Sequence, residues 1–260
     1  MKNISNSQLT LARKLNRKKY REQEQLFLIE GSRAVQQIIT NGILEIRELF
    51  FDESQSYWDQ EPWAQIIPDY SCSLVSKEHF EEISDTENPQ GVLALCKMPG
   101  EAEIEELAEA DGILLATDRI QDPGNLGTII RTASWFGAKA LLSGKGTVDI
   151  FHPKVVRSTA GATGTLKYRN GELGSLLPTF ESRGWRVVIL EGSEGAQNIR
   201  DLKPADKTIL LVGNEANGVA ENLFTDQRTE IRIPSMSEQE QVESLNAAIA
   251  AAIALFVING

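Results

Sequence analysis

The sequence predicts an α/β protein in which strands and helices alternate and the strands form mostly parallel sheets. Apolar runs of about four to eight residues, typical of buried strands, alternate with segments whose apolar residues recur at helical spacing. An acidic stretch that begins with the chain breaker Pro99-Gly100 separates two such regions. The 260 residues, 41% of them hydrophobic and 24% charged, are sufficient for two globular domains. We therefore predict a first domain over 1–98, an acidic linker over 99–111 that is either extended or a short exposed helix, and a second domain over 112–260.

The first domain is predicted to begin with a helix over 8–19 that carries Leu9, Leu11 and Leu15. The helix after the first strand ends at Asn41-Gly42, because glycine readily adopts the left-handed conformation at a helix C-terminus. The remaining predicted elements are strands over 27–29, 43–52 and 91–98, short apolar segments over 63–67 and 71–75, and a helix over 77–84.

The second domain is predicted to contain a sheet buried on both faces, because its first strand is a continuous apolar run. A helix over 126–136 follows that strand, and an alanine-rich helix over 244–258 closes the chain. The closing helix is apolar on nearly all sides, which predicts burial against the sheet or a second subunit. The predicted strands cover 112–118, 139–144, 185–192, 208–215 and 231–234.

Composition argues against several classes of protein. No apolar run approaches the roughly 20 residues needed to span a membrane, and the basic N-terminus lacks the pattern of a secretory signal. Cys72 and Cys96 are too few for a disulfide framework, and with only His79 and His152 the chain offers no zinc cluster. We expect a cytoplasmic protein with reduced, buried cysteines and no metal.

The charge distribution is uneven. The formal net charge of −11 by itself argues against nucleic-acid binding, which needs lysine and arginine against phosphate. Basic residues nevertheless cluster near the N-terminus, while acid is concentrated elsewhere. The sequence therefore predicts either a local basic face or an ordinary solvated helix, formed by Lys14, Arg17, Lys18, Lys19 and Arg21.

Three loops that follow predicted strands carry candidate functional residues, because open α/β sheets bind ligands at the carboxyl ends of their strands. In the first loop, Pro123-Gly124 is expected to form a turn and Asn125 to lie at or near the N-cap of the next helix, where its side chain can accept from a free amide. Arg131 lies six residues further on, as either a surface cation or a group directed at a phosphate or reacting hydroxyl.

The second loop, over 210–219, carries Gly213, Asn214, Glu215 and Gly218. Glycines there permit close approach of the backbone to a ligand, and the carboxylate is either a cap or a ligand for hydroxyl groups. This pattern is neither a G-x-G-x-x-G fingerprint nor a P-loop, which argues against ordinary dinucleotide and nucleoside-triphosphate folds.

The third loop, over 233–250, begins at Ile233 and places Ser244 at the start of the closing helix, with Leu245 and Asn246 in its first turn. Ser244 is either a plain cap or a hydroxyl at a phosphate-binding helix terminus.

Together the loops resemble the SpoU (TrmH) family of RNA 2′-O-ribose methyltransferases, of the SPOUT class. The order and spacing of the motifs agree over 112–258. The N-terminal stretches KKYREQEQLFLIEG and NPQGVLAL resemble the ribosomal-protein-like RNA-binding domain of many members. The matching motif residues are Asn125, Gly127 and Arg131; Gly213, Asn214, Glu215 and Gly218; and Ile233, Pro234, Ser244, Leu245 and Asn246.

The resemblance implies a trefoil-knotted C-terminal domain, a homodimer built through that domain and its last helix, and S-adenosyl-L-methionine as cofactor. One departure from the family lies between Pro234 and Ser244, where the usual short link is longer and acidic, which affects the geometry of residues 235–243.

The resemblance also implies roles for the site residues. By resemblance, Arg131 assists deprotonation of the ribose hydroxyl together with a neighbouring phosphate. Because a guanidinium group keeps its proton in proteins and is a poor base, we assign it hydroxyl positioning and charge stabilisation. Asn125 would orient Arg131 or the ribose, Glu215 and Ser244 would hold the loops or the RNA, and Asn246 would brace the site. Cofactor contacts are implied at Gly213, Asn214, Gly218, Ile233 and Leu245.

Ribosomal RNA, of the 23S type, is the preferred substrate, because the N-terminal domain resembles those of members that act on ribosomal RNA. A transfer-RNA 2′-O-methyltransferase and a non-catalytic RNA-binding assembly factor are the alternatives. An oxidoreductase is disfavoured by the missing glycine-rich fingerprint.

Overall fold

The computed structural model describes residues 1–193, 195–236 and 244–259, with the side chains of Ser56 and Tyr57 outside the description. The chain divides into two compact units. Unit 1 contains Met1–Gly100 and Asp149–Thr165, and unit 2 contains Glu101–Val148 and Leu166–Gly260.

Helices and strands alternate along most of the chain, as predicted. The helices are α1 (Asn6–Lys14), α2 (Lys18–Glu24), α3 (Ser32–Asn41), α4 (Trp63–Ile66), α5 (Lys77–Ile83), α6 (Ile104–Glu109), α7 (Pro123–Trp135), α8 (Pro153–Ser158), α9 (Leu173–Glu181) and α10 (Ala247–Asn259). The strands are β1 (Lys2–Asn3), β2 (Leu26–Glu30), β3 (Ile46–Asp52), β4 (Cys72–Val75), β5 (Val92–Lys97), β6 (Gly112–Thr117), β7 (Ala140–Gly144), β8 (Lys167–Gly171), β9 (Arg186–Leu190), β10 (Gln197–Asn198), β11 (Lys207–Val212) and β12 (Thr229–Arg232). Short 3-10 turns cover Ser56–Asp59, Ile67–Asp69, Ile199–Asp201 and Glu221–Leu223.

The sheet of unit 1 is mixed, so the prediction of a mostly parallel sheet is wrong for this unit. Its strand order is β1-β4-β3-β5-β2. β4 runs parallel to β1 and β3, whereas β5 runs antiparallel to β2 and β3. Apolar runs identify strands but carry no information on strand direction, which depends on the end of the sheet at which the chain re-enters.

The predicted first helix is two helices. Ser5 caps α1 with a capping box that includes Gln8, and α1 ends at Lys14, with Leu15 as its C-cap. Arg17 is extended, with φ −104° and ψ 130°, which interrupts the helix before α2 begins. Leu9 and Leu15 are buried in the core of unit 1, as their spacing predicts.

Residues 149–165 lie in the predicted second domain by sequence but pack into unit 1. The rings of Phe151 and Phe27 are 4.9 Å apart. A Cβ at Gly161, where φ is +94°, would lie 2.5 Å from the Cβ of Gln37, so only glycine fits this approach. Burial, together with Arg21, lowers the pKa of His152, whose Nδ1 accepts a hydrogen bond from the backbone N–H of Lys154 at the start of α8.

Arg21 is not part of an exposed basic face. Its side chain is 2% exposed, and it donates to the backbone oxygen of Leu15 at 2.8 Å and to Asp149 Oδ2 at 2.5 Å. The remaining members of the basic segment are exposed and stay available to solvent: Lys14, Arg17, Lys18 and Lys19.

Both cysteines are free and buried in unit 1, as predicted. Burial raises the pKa of Cys96 to about 12, and burial together with the Glu48 carboxylate raises that of Cys72 to about 11.

We expect neither thiol to react with Ellman's reagent in the native protein at pH 8, because the thiolate is the reactive form and both sulfurs are shielded. Two thiols per chain should react once guanidinium chloride unfolds the protein. Rapid labelling of a native thiol would contradict this.

In unit 2 all strand pairings among the described residues are parallel, in the order β10-β12-β9-β11-β6-β7-β8. The five predicted strands are confirmed as β6, β7, β9, β11 and β12. The two edge strands, β8 and β10, are not predicted by the sequence pattern, because Lys167–Gly171 and Gln197–Asn198 are mostly polar and lack an apolar run.

Helices cover both faces of this sheet. One face packs with α6 and α9 in a core that includes Leu107, Leu177 and Phe180. On the other face α10 packs on α7 and against β9 and β11. The acidic stretch 99–111 contains a short helix, α6, as one of the two predicted alternatives has it, but this helix is only partly exposed, because it buries Leu107 and Ala108 in the core of unit 2.

No helix in the described ranges has the length and apolar character required to cross a membrane.

Candidate active site

The three candidate loops lie at one edge of the sheet of unit 2. They follow β6, β11 and β12, which run parallel in the order β12-β9-β11-β6. Parallel strands end at the same edge, so the topology alone brings loops that are distant in sequence together.

The first loop differs from its prediction at the start of α7. Pro123 and Gly124 are the first residues of the helix rather than a turn before it. Asp122 is the cap, and its Oδ1 accepts a hydrogen bond of 2.7 Å from the backbone N–H of Asn125. Proline is well suited to the first helical position, since its fixed φ is helical and its missing N–H has no partner there. The side chain of Asn125 therefore does not cap the helix and can form hydrogen bonds with other groups.

The side chain of Asn125 links the three loops. Its Nδ2 donates to Glu215 Oε1 in the second loop at 2.9 Å. Its Oδ1 accepts from Asn246 Nδ2 in the third loop, also at 2.9 Å. The sequence interpretation paired Asn125 with Arg131 or the ribose, whereas the structure pairs it with two other candidate residues.

The second loop folds on itself around Asn214. The backbones of Asn214 and Gly218 exchange two hydrogen bonds of 3.0 Å. Asn214 Oδ1 accepts from the N–H groups of Ala216 and Asn217 at 3.0 Å, and its Nδ2 donates to the backbone oxygen of Arg119 at 2.8 Å. Asn214 thereby holds its own loop and attaches it to the first loop.

The two glycines of this loop are required for different reasons. A Cβ at Gly213 would lie 2.3 Å from Gly218 C and Val219 N, so no side chain fits. Gly218 has a φ of +61°, in the left-handed region.

Asp118, which sequence analysis did not select, is a further connection between the first two loops. It is 6% exposed, and its Oδ2 accepts from the backbone N–H of Ala220 at 2.8 Å and from Arg119 Nε at 3.2 Å. The sequence signal that could have identified Asp118 is its position as a carboxylate directly after a buried strand.

The third loop is described at its two ends. Ile233 and Pro234 are partly buried after β12, while residues 237–243 of the longer acidic link lie outside the described residues. Asn246 is the cap of α10 and does not lie in its first turn, because its Oδ1 accepts from the N–H groups of Ala248 and Ile249 at 2.9 and 3.3 Å. Ser244 precedes the cap by two residues and, like Leu245, is exposed.

Arg131 lies apart from the linked side chains. It is exposed on α7, where Ile129, Ile130 and Ala133 are buried as predicted. Six residues correspond to a rotation of about 240° about the helix axis, so Asn125 and Arg131 leave the helix in different directions. Within the described ranges Arg131 makes no hydrogen bond or ion pair, which leaves its guanidinium free for an external anion or hydroxyl.

Comparison with known families identifies the chain. The model of the SpoU rRNA Methylase family matches residues 112–256, which span the three loops. The chain belongs to the SpoU rRNA methylase family. Residues 6–94 match the MRM3-like substrate binding domain. The resemblance inferred from the motifs is therefore confirmed.

Relatives of known name agree with this assignment. The 23S rRNA (guanosine(2553)-2′-O)-methyltransferase RlmP of Bacillus subtilis is 34% identical over 248 residues, which cover 95% of this chain and 94% of its own. The AdoMet-bound rRNA methyltransferase of Sinorhizobium meliloti is 26% identical with a TM-score of 0.82, over 99% of this chain and 96% of its own. The SpoU methyltransferase AviRb of Streptomyces viridochromogenes, in complex with AdoMet, is 25% identical with a TM-score of 0.81, over 98% of this chain and 97% of its own.

The residues at this edge of the SpoU sheet fit a nucleoside cofactor such as AdoMet (S-adenosylmethionine). Ile233 and Leu245 present apolar surface that suits a purine, and Leu245 is 47% exposed. In the second loop, Gly213 and Gly218 leave their backbone groups uncovered by side chains, and Glu215 contributes a carboxylate. Among the described residues no group of His, Cys, Asp or Glu is arranged to hold a metal ion.

Proposed function

We propose that this chain transfers a methyl group from S-adenosylmethionine to a ribose 2′-hydroxyl of RNA, with ribosomal RNA as the substrate. The observation that carries the proposal is the pair of hydrogen bonds at Asn125, which donates to Glu215 and accepts from Asn246 and so joins the three family motifs at the ligand-binding edge of the sheet.

The cofactor, when bound, supplies a methyl group that its sulfonium already activates. The protein must therefore position the hydroxyl and stabilise the charge that develops as its proton leaves. Gly213, Asn214 and Gly218 bind the cofactor through the backbone of their loop. Ile233 and Leu245 contribute apolar contacts.

Arg131 positions the ribose hydroxyl or the neighbouring phosphate. Its exposed guanidinium, which has no hydrogen-bond or ion-pair partner among the described residues, presents a rigid set of donors that suits a phosphate or an alkoxide. Asn125 and Asn246 hold the loops in register, and Glu215 is held by Asn125. Ser244, exposed before α10, contacts the RNA backbone.

Unit 1 captures the RNA in this proposal. The exposed residues Lys14, Arg17, Lys18 and Lys19 offer four positive charges to phosphate groups on an otherwise acidic chain. The proposed division of the chain assigns RNA binding to residues 1–98 and catalysis to residues 112–260, with residues 149–165 attached to the RNA-binding unit. A cytoplasmic location stays a prediction of the sequence.

We further propose that the chain forms a homodimer through a trefoil-knotted unit 2. An apolar face on α7 and α10 supports the dimer. Trp135 is 85% exposed and Phe256 67%, and Ile249, Ile253 and Phe256 lie on one side of α10. The opposite side of α10 is buried and packs against β9 and β11, and the sheet is one of the two packing partners that the sequence predicts for this helix. An apolar face of this kind on a folded protein is typical of an interface.

The dimer proposal predicts that Phe256→Glu yields a monomer. A charge placed in an apolar interface loses its hydration without a partner, which is unfavourable by several kcal/mol. Light scattering after gel filtration should show twice the chain mass for the wild type and once for the variant. Ile43→Glu is the control, because Ile43 is 55% exposed in unit 1 and its replacement should leave the dimer intact. A monomeric wild type, or a dimeric Phe256→Glu variant, contradicts the proposal.

The proposed reaction is tested by incubating the protein with S-adenosylmethionine labelled in the methyl group and with ribosomal or transfer RNA that lacks native modifications. We expect the label in a 2′-O-methylnucleoside of ribosomal RNA. Label in transfer RNA alone would overturn the choice of substrate. Label on a base would overturn the choice of acceptor group. Binding of RNA without binding of the cofactor would favour a non-catalytic assembly factor.

A further inference from the structure

The strand between the second and third motifs carries a loop to which no role is assigned. β9 lies between β11 and β12 in the sheet, so its carboxyl end is flanked by the loops at Gly213 and Ile233. The residue that follows β9 is Glu191. Because parallel strands end at one edge, any ligand that spans the flanking loops passes over this position.

Local contacts fix the position of Glu191. Its backbone N–H donates to the oxygen of Ile231 at 2.9 Å, which extends the pairing of β9 with β12 by one residue. Its side chain is partly buried, and Oε1 accepts from the backbone N–H of Gly192 at 2.8 Å. Oε2 faces the second loop, at 3.3 Å from the position of a Cβ built on Gly218.

The second oxygen remains available. In the described part of the chain, the hydrogen bond that Glu191 accepts is the one at Oε1. An ionised carboxylate accepts hydrogen bonds at both oxygens. A partly buried carboxylate with one available oxygen therefore favours a ligand that donates hydroxyl hydrogens.

We infer that Glu191 binds the ribose of the cofactor by accepting a hydrogen bond from its 2′- or 3′-hydroxyl. The inference rests on the proposed function and adds a binding residue to it. In dinucleotide-binding α/β sheets an acidic residue also hydrogen-bonds a ribose hydroxyl at the ligand-binding edge of the sheet. Glu215, the carboxylate in the second motif, is exposed and already accepts a hydrogen bond from Asn125. Glu191 is partly buried at the carboxyl end of β9, and among the described residues its Oε2 has no hydrogen-bond partner.

The test compares binding of two ligands by isothermal titration calorimetry. S-adenosylmethionine carries the base, the ribose, the sulfonium and the amino acid. In contrast, 5′-methylthioadenosine keeps the base and the ribose but has neither the sulfonium nor the charged amino acid. Glu191→Gln keeps an acceptor for Gly192 but removes the negative charge. We expect it to weaken both ligands by the same factor, about tenfold or more, because charge-assisted hydrogen bonds are the stronger ones.

Glu172→Gln is the matched control. Glu172 follows the edge strand β8 at the same end of the sheet, four strand positions from β9, and is paired with Lys145 at 3.3 Å. It should leave both affinities unchanged. The melting temperature of ligand-free Glu191→Gln should equal that of the wild type, since a role in loop structure alone would lower it.

The outcomes separate the inference from the proposed function. Equal affinities in wild type and Glu191→Gln would overturn the role of Glu191 while leaving the proposed function intact. A loss confined to S-adenosylmethionine would assign the carboxylate to the methionine end and overturn the ribose contact. Absence of S-adenosylmethionine binding in the wild type would instead overturn the proposed function.

Discussion

Arg131→Ala is expected to reduce methyl transfer to RNA by at least about a thousandfold while the affinity for S-adenosylmethionine changes less than about twofold. The reason is the separation seen at the site. The cofactor loops are held to one another through Asn125, Asn214 and Asn246, and Arg131 makes none of those contacts in the described part of the chain. In the proposed mechanism, its removal deprives the ribose hydroxyl of its positive partner and leaves the loops in place.

Single-turnover methyl transfer and calorimetric binding of the cofactor measure the two effects separately. Arg183→Ala is the control. Arg183 lies before β9, at the amino end of the strands and therefore opposite the candidate site, in an exposed ion pair with Glu109. It should retain wild-type transfer. An Arg131→Ala variant with unchanged turnover would remove Arg131 from the mechanism, and one that fails to bind the cofactor would assign it to the loops.

Asp149→Asn is expected to destabilise unit 1 by about 3 kcal/mol. Arg21 is 2% exposed, and Asp149 is its charged partner, so the variant leaves a buried guanidinium without a compensating charge. Asparagine retains the shape of aspartate and an oxygen for the N–H of Phe151, which limits the change to the charge. Urea unfolding measures the free energy, and hydrogen exchange should locate the loss of protection in α2 and β2.

Two variants test whether the buried charge is the cause. Glu82→Gln breaks the pair with Arg13, whose side chains are 48% and 43% exposed, and should lower the free energy of unfolding by less than about 1 kcal/mol. Adding Arg21→Met to Asp149→Asn removes the unpaired charge and should recover part of the stability. A double variant no more stable than Asp149→Asn, or a single variant as stable as the wild type, would contradict the explanation.

The sequence by itself determined the class of fold, the strands in the middle of the sheet of unit 2, the burial of both cysteines and the three motif loops. These features are local. Apolar runs such as Gly112–Thr117 report burial on both faces of a sheet, and the residue types of a loop that follows a strand are read without knowledge of the partner loops. The family followed from the order and spacing of the motifs for the same reason.

Only the tertiary structure decided which residues meet. Arg21 and Asp149 are 128 positions apart, and Asn125 and Asn246 are 121 apart, so no periodicity links them. The assignment of residues 149–165 to unit 1, the antiparallel course of β5 and the place of Glu191 between two motif loops are likewise consequences of chain path. A pattern of apolar and polar residues specifies which side chains are buried, but the partner of a buried charge or amide is set by how distant segments pack.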